Sequence, residues 1–393
     1  MSTAKIFFVI AGEPSGDALG AALMVGLKAL QPDVRFVGVG GPLMESHGLH
    51  SLFPMHELAV MGLAEVLPKL RSLLARVRQC ADAVTDANPS ALITIDSPDF
   101  TLRVARRVRR RNRSVPIIHY VAPSVWAWRP KRAHKMARRV DHVLALLPFE
   151  PPLMQAAGVS CDFVGHPAAD VPVSTPSDMA ALRRYIGIND STRLLCVLPG
   201  SRRGEIARMG PVFGAVVARL ARSHKDVHVV VPAAANVAAE LAAMVARWDG
   251  NVSILDPNKL PAEQSGAYKR AAFATSELAL ATSGTVSLEL AAAGTPMIIA
   301  FRFNALSNVV IQRMMQTDTV TLPNLVTDTR HIPEFLAGDC RADLIAPMVQ
   351  RYLDDPDLRA RQKNAADLTM RRLGRGVGSA GSRAAQSVLD FIG

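Results

Sequence analysis

The sequence predicts an α/β protein with two Rossmann-like domains, each built on a doubly wound parallel sheet. The chain has 393 residues, which is more than the roughly 100–200 residues of a typical single domain. Short apolar runs alternate with stretches of helical periodicity, and this alternation occurs twice along the chain. The runs are continuously apolar, as expected of strands that are covered on both faces.

Ten apolar runs have the length of strands, five in each half of the chain. Intervening stretches such as 19–30 and 212–222 carry apolar residues at helical spacing. The predicted strands are 5–11, 34–40, 91–96, 116–121, 142–147, 194–198, 227–231, 252–255, 278–281 and 297–301.

A proline-rich stretch predicts the domain boundary. Pro167, Pro172 and Pro176 lie among small residues after Gly165, where neither a helix nor a central strand is favoured. We expect a first domain at 1–167 and a second at 168–356. Helices at 357–393 can join either domain, including by packing back on the first.

Composition excludes several classes of protein. Apolar residues make up 49% of the chain and charged residues 20%, which favours a sizeable core over disorder. No apolar run reaches the length of about 18 residues that a membrane span requires. The run at 6–11 is also followed by residues unlike a secretory cleavage site. Four scattered cysteines form no C-x-x-C pair, so we expect neither a metal site nor a disulfide framework.

The net charge of +11 is concentrated in one segment. Residues 103–139 hold 13 Lys and Arg and no acidic residue, whereas the rest of the chain holds 32 basic and 34 acidic residues. Such a patch suits phosphates, anionic lipid or nucleic acid. A solvated helix face is the alternative.

Three segments of the first half follow predicted strands and could contact ligands; the first two are short turns. Gly12, Glu13 and Ser15 form the first strand-to-helix turn, which is either an anion- or sugar-binding loop or a purely structural turn. Asp96 and Asp99 follow a later strand, at the edge where open α/β sheets bind ligands. Either aspartate can accept a proton from a hydroxyl nucleophile, although Ser97 or Asp99 also suits a helix N-cap.

An aromatic and basic segment follows the strand at 116–121. Ser124, Trp126 and Arg129 lie in it. Tryptophan can line a sugar or an acyl chain, and arginine can hold a phosphate. Core packing of the aromatic rings and binding of single-stranded nucleic acid are the alternatives. Since only 5% of residues are aromatic and no nucleic-acid module is recognisable, we expect no nucleic acid as partner.

Two turns of the second half predict a nucleotide-diphosphate pocket. The first follows the strand at 194–198 and places glycine and arginine at a helix start. The second follows the strand at 278–281 and offers hydroxyl and N–H groups, with a carboxylate one helical turn later that suits ribose hydroxyls. Capping and a buried glutamate are the alternative interpretation. The candidate residues are Gly200, Ser201 and Arg202 in the first turn, then Thr282, Ser283, Gly284 and Thr285, and finally Glu289.

A leucine-rich stripe predicts either a membrane-facing surface or a core-facing helix. Basic residues surround it, which is typical of a helix at a membrane interface, but a helix that packs on the core shows the same spacing. The stripe consists of Val66, Leu67, Leu70, Leu73 and Leu74.

Together these motifs resemble the lipid-A-disaccharide synthase family. They occur in order from about residue 5 to 330, and the run from Pro123 to Arg129 is highly specific. The segments that carry the resemblance are 12–17, 96–100, 120–132, 148–150, 200–202, 283–285 and 322–325.

The resemblance implies a GT-B architecture, in which two domains face a cleft. The first domain would take the acceptor, 2,3-diacylglucosamine 1-phosphate, and the second the donor, UDP-2,3-diacylglucosamine. The products would be a β(1→6)-linked disaccharide 1-phosphate and UDP. No metal or cofactor is implied. The enzyme would be cytoplasmic and peripheral on the anionic inner face of the inner membrane, and a homo-oligomer is compatible with it.

The resemblance also implies residue roles. Asp96 would be the base of an inverting displacement, with Asp99 as the second candidate. Arg202 and the 283–285 turn would hold the diphosphate and Glu289 the ribose. The loop with Gly12, Glu13 and Ser15 would face the cleft together with Asn324, and the leucine stripe would receive acyl chains. A UDP-sugar epimerase and a nucleic-acid-binding protein are the competing functions.

Overall fold

The computed structural model describes residues 5–58, 63–126, 131–302 and 317–393. They form two compact units, and the chain passes between them twice. The N-terminal unit contains residues 1–170 and 373–393, and the C-terminal unit contains 171–372. Among the described residues, no helix combines the length and apolarity that crossing a membrane requires.

The N-terminal unit is built on a seven-stranded parallel sheet in the order β3-β2-β1-β4-β5-β6-β7. Alternate residues of β1 enter opposite cores: Phe7 and Val9 pack on one face of the sheet, and Phe8 and Ile10 on the other. Burial on both faces explains the continuous apolar runs. The strands are Ile6–Ala11 (β1), Arg35–Val39 (β2), His50–Ser51 (β3), Ala91–Ile95 (β4), Ile117–Tyr120 (β5), His142–Ala145 (β6) and Ser160–Phe163 (β7).

The C-terminal unit repeats this plan with a six-stranded parallel sheet in the order β10-β9-β8-β11-β12-β13. Its described pairs are all parallel, and β8 pairs with both β9 and β11. The strands are Arg193–Leu198 (β8), Val227–Pro232 (β9), Val252–Leu255 (β10), Leu278–Ala281 (β11), Met297–Phe301 (β12) and Glu334–Leu336 (β13).

Helices connect the strands and cover the sheets. Within the described residues they are Pro14–Leu30 (α1), Pro42–Ser46 (α2), Leu63–Ala87 (α3), Pro98–Arg111 (α4), Lys131–Ala137 (α5), Glu150–Ala156 (α6), Pro176–Tyr185 (α7), Arg203–Ser223 (α8), Ala238–Val245 (α9), Ala262–Thr275 (α10), Val286–Ala292 (α11), Leu322–Thr327 (α12), Ala342–Asp354 (α13), Pro356–Arg372 (α14) and Ala380–Ile392 (α15). In the N-terminal unit, α1 and α15 cover one face and α3 and α4 the other. In the C-terminal unit, α8, α9 and α13 share one core with the sheet.

All ten predicted strands are present, and the two-domain α/β prediction is confirmed. Three further strands, β3, β7 and β13, were not predicted. Each is an edge strand of its sheet, and none is buried along its whole length. An edge strand needs no continuous apolar run, so hydropathy gives no signal for it.

The C-terminal segment is divided between the units. The chain enters the C-terminal unit after Asp170 and leaves it after Arg372. Helix α14 therefore belongs to the C-terminal unit and α15 to the N-terminal unit. Arg383 of α15 fixes this return by donating from Nε to the carbonyl of Val164, 2.8 Å away.

Two glycines allow α15 to lie directly against α1. A Cβ atom at Gly26 would lie 2.7 Å from the carbonyl oxygen of Gly381 and 2.9 Å from the Cβ of Ala385. These neighbours are backbone and a short side chain, so they have little freedom to move. The helix crossing therefore depends on the missing Cβ atoms.

We predict that Gly26→Ala lowers the free energy of unfolding by about 1–3 kcal/mol because the helices must separate. The control is Gly266→Ala on α10, where the added Cβ meets only the flexible end of Arg270, at 3.3 Å. Both changes gain helix propensity, about 1 kcal/mol, so the comparison isolates the packing. Urea denaturation measures the difference, and equal stability of the two variants would contradict the packing argument.

Candidate functional site

Each of the two sheets has one point at which its strand order reverses, and several of the predicted site residues follow the strands on either side of that point. In the N-terminal unit, the reversal lies between β1 and β4, which are followed by Gly12 and Asp96. In the C-terminal unit, it lies between β8 and β11, which are followed by the turns at 199–202 and 282–285. Open α/β sheets bind ligands in the crevice that forms beyond such a reversal. Each unit therefore presents a candidate binding edge.

In the N-terminal unit, Ser97 connects the two loops of this edge. Its hydroxyl donates to Oε1 of Glu13 at 3.3 Å, and its backbone N–H donates to Oδ1 of Asp96 at 2.8 Å. A Cβ atom on Gly12 would lie 2.5 Å from the Ser97 hydroxyl, so glycine is required for this approach. The structure thus brings Glu13 and Asp96 together around Ser97, whereas Ser15 is exposed on the first turn of α1.

The backbone is strained at the same edge. Asp96 and Ser97 have φ angles of 48° and 45°, and Val121, which follows β5, has a φ of 86°. Non-glycine residues with positive φ cost of order 1–3 kcal/mol each, most for a β-branched side chain, and they cluster at functional sites. This strain turns the chain sharply at the ends of β4 and β5.

The two candidate bases have different surroundings. Asp96 is partly buried, and burial raises the pKa of its carboxyl group, while the N–H of Ser97 opposes that rise. Asp99 lies on the first turn of α4 and is exposed. Ser97 occupies the N-cap position of α4, but its hydroxyl does not cap the helix. The capping alternative therefore does not account for the Ser97 side chain.

Asp17, within the first turn motif, has a structural function. Its buried carboxylate accepts hydrogen bonds from the backbone N–H groups of Gly41, Leu43 and Met44, at 2.8–3.0 Å. These groups form the start of α2, which Asp17 caps from α1. The motif at 12–17 therefore combines a candidate binding loop with a fixed attachment of the neighbouring helix.

His119 is a buried neighbour of this edge. It lies in β5, and its Nδ1 is 2.8 Å from the hydroxyl of Thr94 in β4. Burial lowers its pKa to about 4, from an ordinary value of 6.5. The folded protein therefore binds fewer protons than the unfolded chain between these two values.

We predict that stability falls as the pH is lowered from 6.5 towards 4. His119 contributes stability that is fully present above its unfolded pKa and is lost as the pH approaches its folded pKa, a change of about 3 kcal/mol. Denaturant titrations across this range measure it, and His119→Gln should reduce the slope. Burial also lowers the pKa of His166 to about 4. The stability of His119→Gln should therefore still depend on pH, but less steeply than that of the wild type. A variant as acid-sensitive as the wild type would refute the assignment to His119.

The loop after β5 contains a buried polar contact. Ser124 is exposed, while Trp126 is partly buried and donates from Nε1 to Oε1 of Glu150 at 3.3 Å. The Trp126 ring meets the Phe149 ring edge-on, with centroids 5.5 Å apart. The predicted contact Arg129 falls within residues 127–130, outside the described part of the chain.

In the C-terminal unit, the turn after β8 positions an accessible guanidinium group. Gly200 has a φ of 124°, which favours glycine, and Ser201 donates its backbone N–H to Oε2 of Glu205 at 3.0 Å. The side chain of Arg202 is 63% exposed and lies 3.8 Å from the Glu205 carboxylate. Glu205, which was not among the predicted site residues, holds the turn and leaves Arg202 accessible.

The turn after β11 lies beside the turn after β8. Thr282 is buried and donates its backbone N–H to the carbonyl of Leu198 at 3.1 Å. Ser283 is partly buried, and Gly284 and Thr285 are exposed. These two turns therefore meet at one edge, as the sequence predicted.

Glu289, on the first turn of α11, has a partner that the sequence did not reveal. Its Oε2 lies 2.5 Å from Nζ of Lys269 on α10, and both side chains are partly exposed. Lys269 is 20 residues away in sequence, so no local pattern connects the two. The ion pair fixes the orientation of a carboxylate that remains accessible to a ligand.

Asn324 is buried, with 1% of its surface exposed. Its Nδ2 donates to the carbonyl of Ile332, and its Oδ1 accepts from the N–H of the same residue. Nδ2 also reaches the hydroxyl of Thr319. These contacts give Asn324 a structural function in holding the segment 319–332, so a sugar contact remains only a prediction.

The leucine stripe lies on α3. The side chains of Val66, Leu67 and Leu70 fall outside the described part, and Leu73 is partly buried. Leu74 is exposed over 47% of its surface. Among the described side chains of α3, those of Val77, Cys80, Ala81 and Val84 lie in the core. At Leu74, therefore, the helix presents a large apolar side chain to solvent.

Helix α4 carries several arginines of the basic patch. Arg109 pairs with Asp141 and Arg111 with Asp82. Burial lowers the pKa of Arg139, and the positive charges of Arg106 and Arg103 lower it further. The guanidinium groups of Arg103, Arg106 and Arg139 thus form a cluster of like charge, which favours binding of an anion.

Comparisons with known proteins agree with this architecture. The profile of a family described as lipid-A-disaccharide synthetase matches residues 7–388. A relative from Ruegeria pomeroyi, named lipid-A-disaccharide synthase, is 56% identical over 385 residues, covering 98% of this chain and 95% of the relative.

Solved structures with low sequence identity share the fold. A putative UDP-N-acetylglucosamine 2-epimerase from Listeria monocytogenes has a TM-score of 0.62 at 14% identity, with 99% of this chain and 96% of that chain covered. A glycosyltransferase from Rickettsia africae has a TM-score of 0.58 at 11% identity, with coverages of 100% and 98%. At these identities the likeness extends to the fold alone.

Proposed function

This chain belongs to the lipid-A-disaccharide synthase family, glycosyltransferases that form the lipid A disaccharide in lipopolysaccharide biosynthesis, and we propose how its two units divide the reaction. The N-terminal unit binds 2,3-diacylglucosamine 1-phosphate as acceptor, and the C-terminal unit binds UDP-2,3-diacylglucosamine as donor. The observation that supports this division is the composition of the two binding edges. One carries the carboxylates of Glu13 and Asp96, each of which accepts a hydrogen bond from Ser97, and the other carries the accessible Arg202 beside a turn whose residues Gly284 and Thr285 are exposed.

Arg202 and the turn formed by Thr282 to Thr285 bind the donor diphosphate. The accessibility of Arg202 supports this role, because a guanidinium group can meet phosphate oxygens in a bidentate manner. The same contacts stabilise the negative charge that develops on departing UDP. Glu289, held by Lys269, accepts hydrogen bonds from the ribose hydroxyls.

Asp96 acts as the base. It takes the proton from the 6-hydroxyl of the acceptor as that oxygen attacks the anomeric carbon of the donor. The bond between this carbon and the β-phosphate oxygen breaks, and its electron pair leaves with UDP. A single displacement converts the α-linked donor into a β-linked product. Partial burial of Asp96 supports this role, since a raised pKa improves a carboxylate as a proton acceptor.

Glu13 and the loop after β5 position the acceptor. Ser97 donates its hydroxyl to Glu13 and its backbone N–H to Asp96, which holds Glu13 near the base, where it can accept a hydrogen bond from the acceptor sugar. Ser124 and the partly exposed ring of Trp126 provide polar and apolar contacts. The arginine cluster on and beside α4 attracts the acceptor phosphate.

The N-terminal unit contacts the anionic inner face of the inner membrane through α3 and the basic patch. The exposed side chain of Leu74 supports this contact, because it can enter the apolar part of the membrane. The exposed arginines at positions 71 and 78 of the same helix add electrostatic attraction to anionic headgroups. The substrates carry fatty acyl chains and so reside in that membrane.

We predict that Leu74→Gln lowers co-sedimentation with phosphatidylglycerol vesicles about five-fold or more, because burying a leucine side chain is worth about 1.5–3 kcal/mol. Leu344→Gln is the matched control, since Leu344 is 41% exposed on α13 of the C-terminal unit. Equal loss of sedimentation in the two variants would argue against a specific membrane contact through α3.

A product assay tests the proposed function. The purified protein is incubated with UDP-2,3-diacylglucosamine and 2,3-diacylglucosamine 1-phosphate, and the lipid fraction is analysed by mass spectrometry. We expect the disaccharide 1-phosphate together with an equal amount of UDP. Release of UDP without the acceptor, and without a disaccharide, would instead favour a hydrolase, and conversion of the donor to an isomeric UDP-sugar without net release of UDP would favour an epimerase.

A further inference from the structure

Glu150 is a buried carboxylate whose function the sequence alone does not indicate. It begins α6, directly after the loop that follows β6, and only 4% of its surface is exposed. Within the described residues it forms no salt bridge. Burying a carboxylate without a cation is costly, so a glutamate at this position calls for an explanation.

N–H groups surround this carboxylate. Oε2 accepts from the backbone N–H of Leu147 at 2.9 Å, and Oε1 accepts from Nε1 of Trp126 at 3.3 Å. Burial raises the pKa of Glu150 to about 7, although its hydrogen bonds to Leu147, Trp126 and Leu146 oppose that rise. The carboxylate therefore links the loop after β6 to the loop after β5.

The contact fixes one particular side chain. The Trp126 indole contacts both the Glu150 carboxylate and, in a T-shaped arrangement, the ring of Phe149, so it is held at two points. It remains partly exposed and follows β5, which pairs with β4, the strand that Asp96 follows. An aromatic ring held at the carboxyl edge of a sheet can support one face of a sugar.

We propose that Glu150 is a positioning residue that holds the indole of Trp126 against the pyranose ring of the acceptor. This inference rests on the proposed acceptor site of the N-terminal unit. Glu150 does not touch the reacting atoms. Its function is to lower the cost of ordering Trp126 when the acceptor binds.

Steady-state kinetics with both substrates varied tests this function. Trp126→Phe keeps an aromatic ring but removes the N–H donor, and Glu150→Leu keeps the volume but removes both acceptor oxygens. We expect each change to raise the acceptor KM about ten-fold, as for a lost charge-assisted hydrogen bond, while the donor KM and kcat change less than about two-fold. Glu150→Gln keeps one acceptor oxygen and should restore part of the affinity.

The double variant distinguishes coupling from two separate effects. If Glu150 acts through Trp126, Trp126→Phe combined with Glu150→Leu should raise the acceptor KM no further than either single change. Multiplied effects, an unchanged acceptor KM, or equal losses for both substrates would overturn the proposal. If Glu150→Leu does not fold, Trp126→Phe with Glu150→Gln gives the same comparison. A wild-type protein that forms no disaccharide would instead refute the proposed function itself.

Discussion

Asp96→Asn should reduce turnover by a factor on the order of 10²–10⁴, the usual contribution of a general base, while UDP affinity stays within about two-fold of the wild type. The amide has nearly the shape of the carboxylate and can still accept the N–H of Ser97. It cannot take a proton from the acceptor hydroxyl. Rapid-quench kinetics and calorimetry with UDP measure the two effects separately.

Asp99→Asn is the matched control, because Asp99 lies three residues away and is exposed on α4. We expect kcat to remain within about ten-fold of the wild type. A larger loss in Asp99→Asn than in Asp96→Asn would transfer the role of base to Asp99.

The pH dependence supplies a second test of Asp96. The base must be ionised, so kcat/KM should fall as the pH drops through the pKa of Asp96. Burial places that pKa above the ordinary value of 3.8. The fall of kcat/KM on the acidic side of the pH profile, its acidic limb, should therefore occur at a higher pH than for an ordinary aspartate. Asp96→Asn should lose this limb from its residual activity, and a limb that persists unchanged would assign it to another group.

Arg202→Ala should weaken UDP binding by about 10- to 100-fold, because hydrogen bonds to charged groups contribute about 1.5–3 kcal/mol. The guanidinium group is accessible, so its removal leaves no buried partner unsatisfied. Titration calorimetry with UDP measures the change.

Arg203→Ala is the control for that experiment. Arg203 is the neighbouring residue, and its side chain is 79% exposed and pairs with Glu240 at 2.8 Å. Removing it changes the local charge equally but removes no proposed phosphate contact, so UDP affinity should change by less than about two-fold. Equal weakening in both variants would indicate long-range attraction alone.

The fold follows from patterns that hydropathy can detect. Strands covered on both faces appear as continuous apolar runs, which located β1, β4 and eight others. The strands β3, β7 and β13 lack this signal because none of them is buried along its whole length. The return of α15 to the N-terminal unit depends on Gly26, Gly381 and Arg383, whose partners lie far away in sequence.

The sequence could predict candidate site residues only where they lie just after the end of a strand. Asp96 and Thr282 come directly after an apolar run and Arg202 lies in the turn that follows one, so sequence order alone placed them at candidate binding edges. Lys269 and Glu205 were missed because each acts by holding another side chain or turn. Asn324 was predicted as a ligand contact from its position in a motif, but its side chain is buried. A position in a motif gives no information about burial.

A crystal structure of this protein with UDP is the most direct test of how the two units divide the reaction. We expect UDP on the C-terminal unit, with the diphosphate within hydrogen-bond distance of Arg202 and of the 283–285 turn, and the ribose beside Glu289. UDP bound instead between Gly12 and Asp96 of the N-terminal unit would contradict the division of labour between the two units.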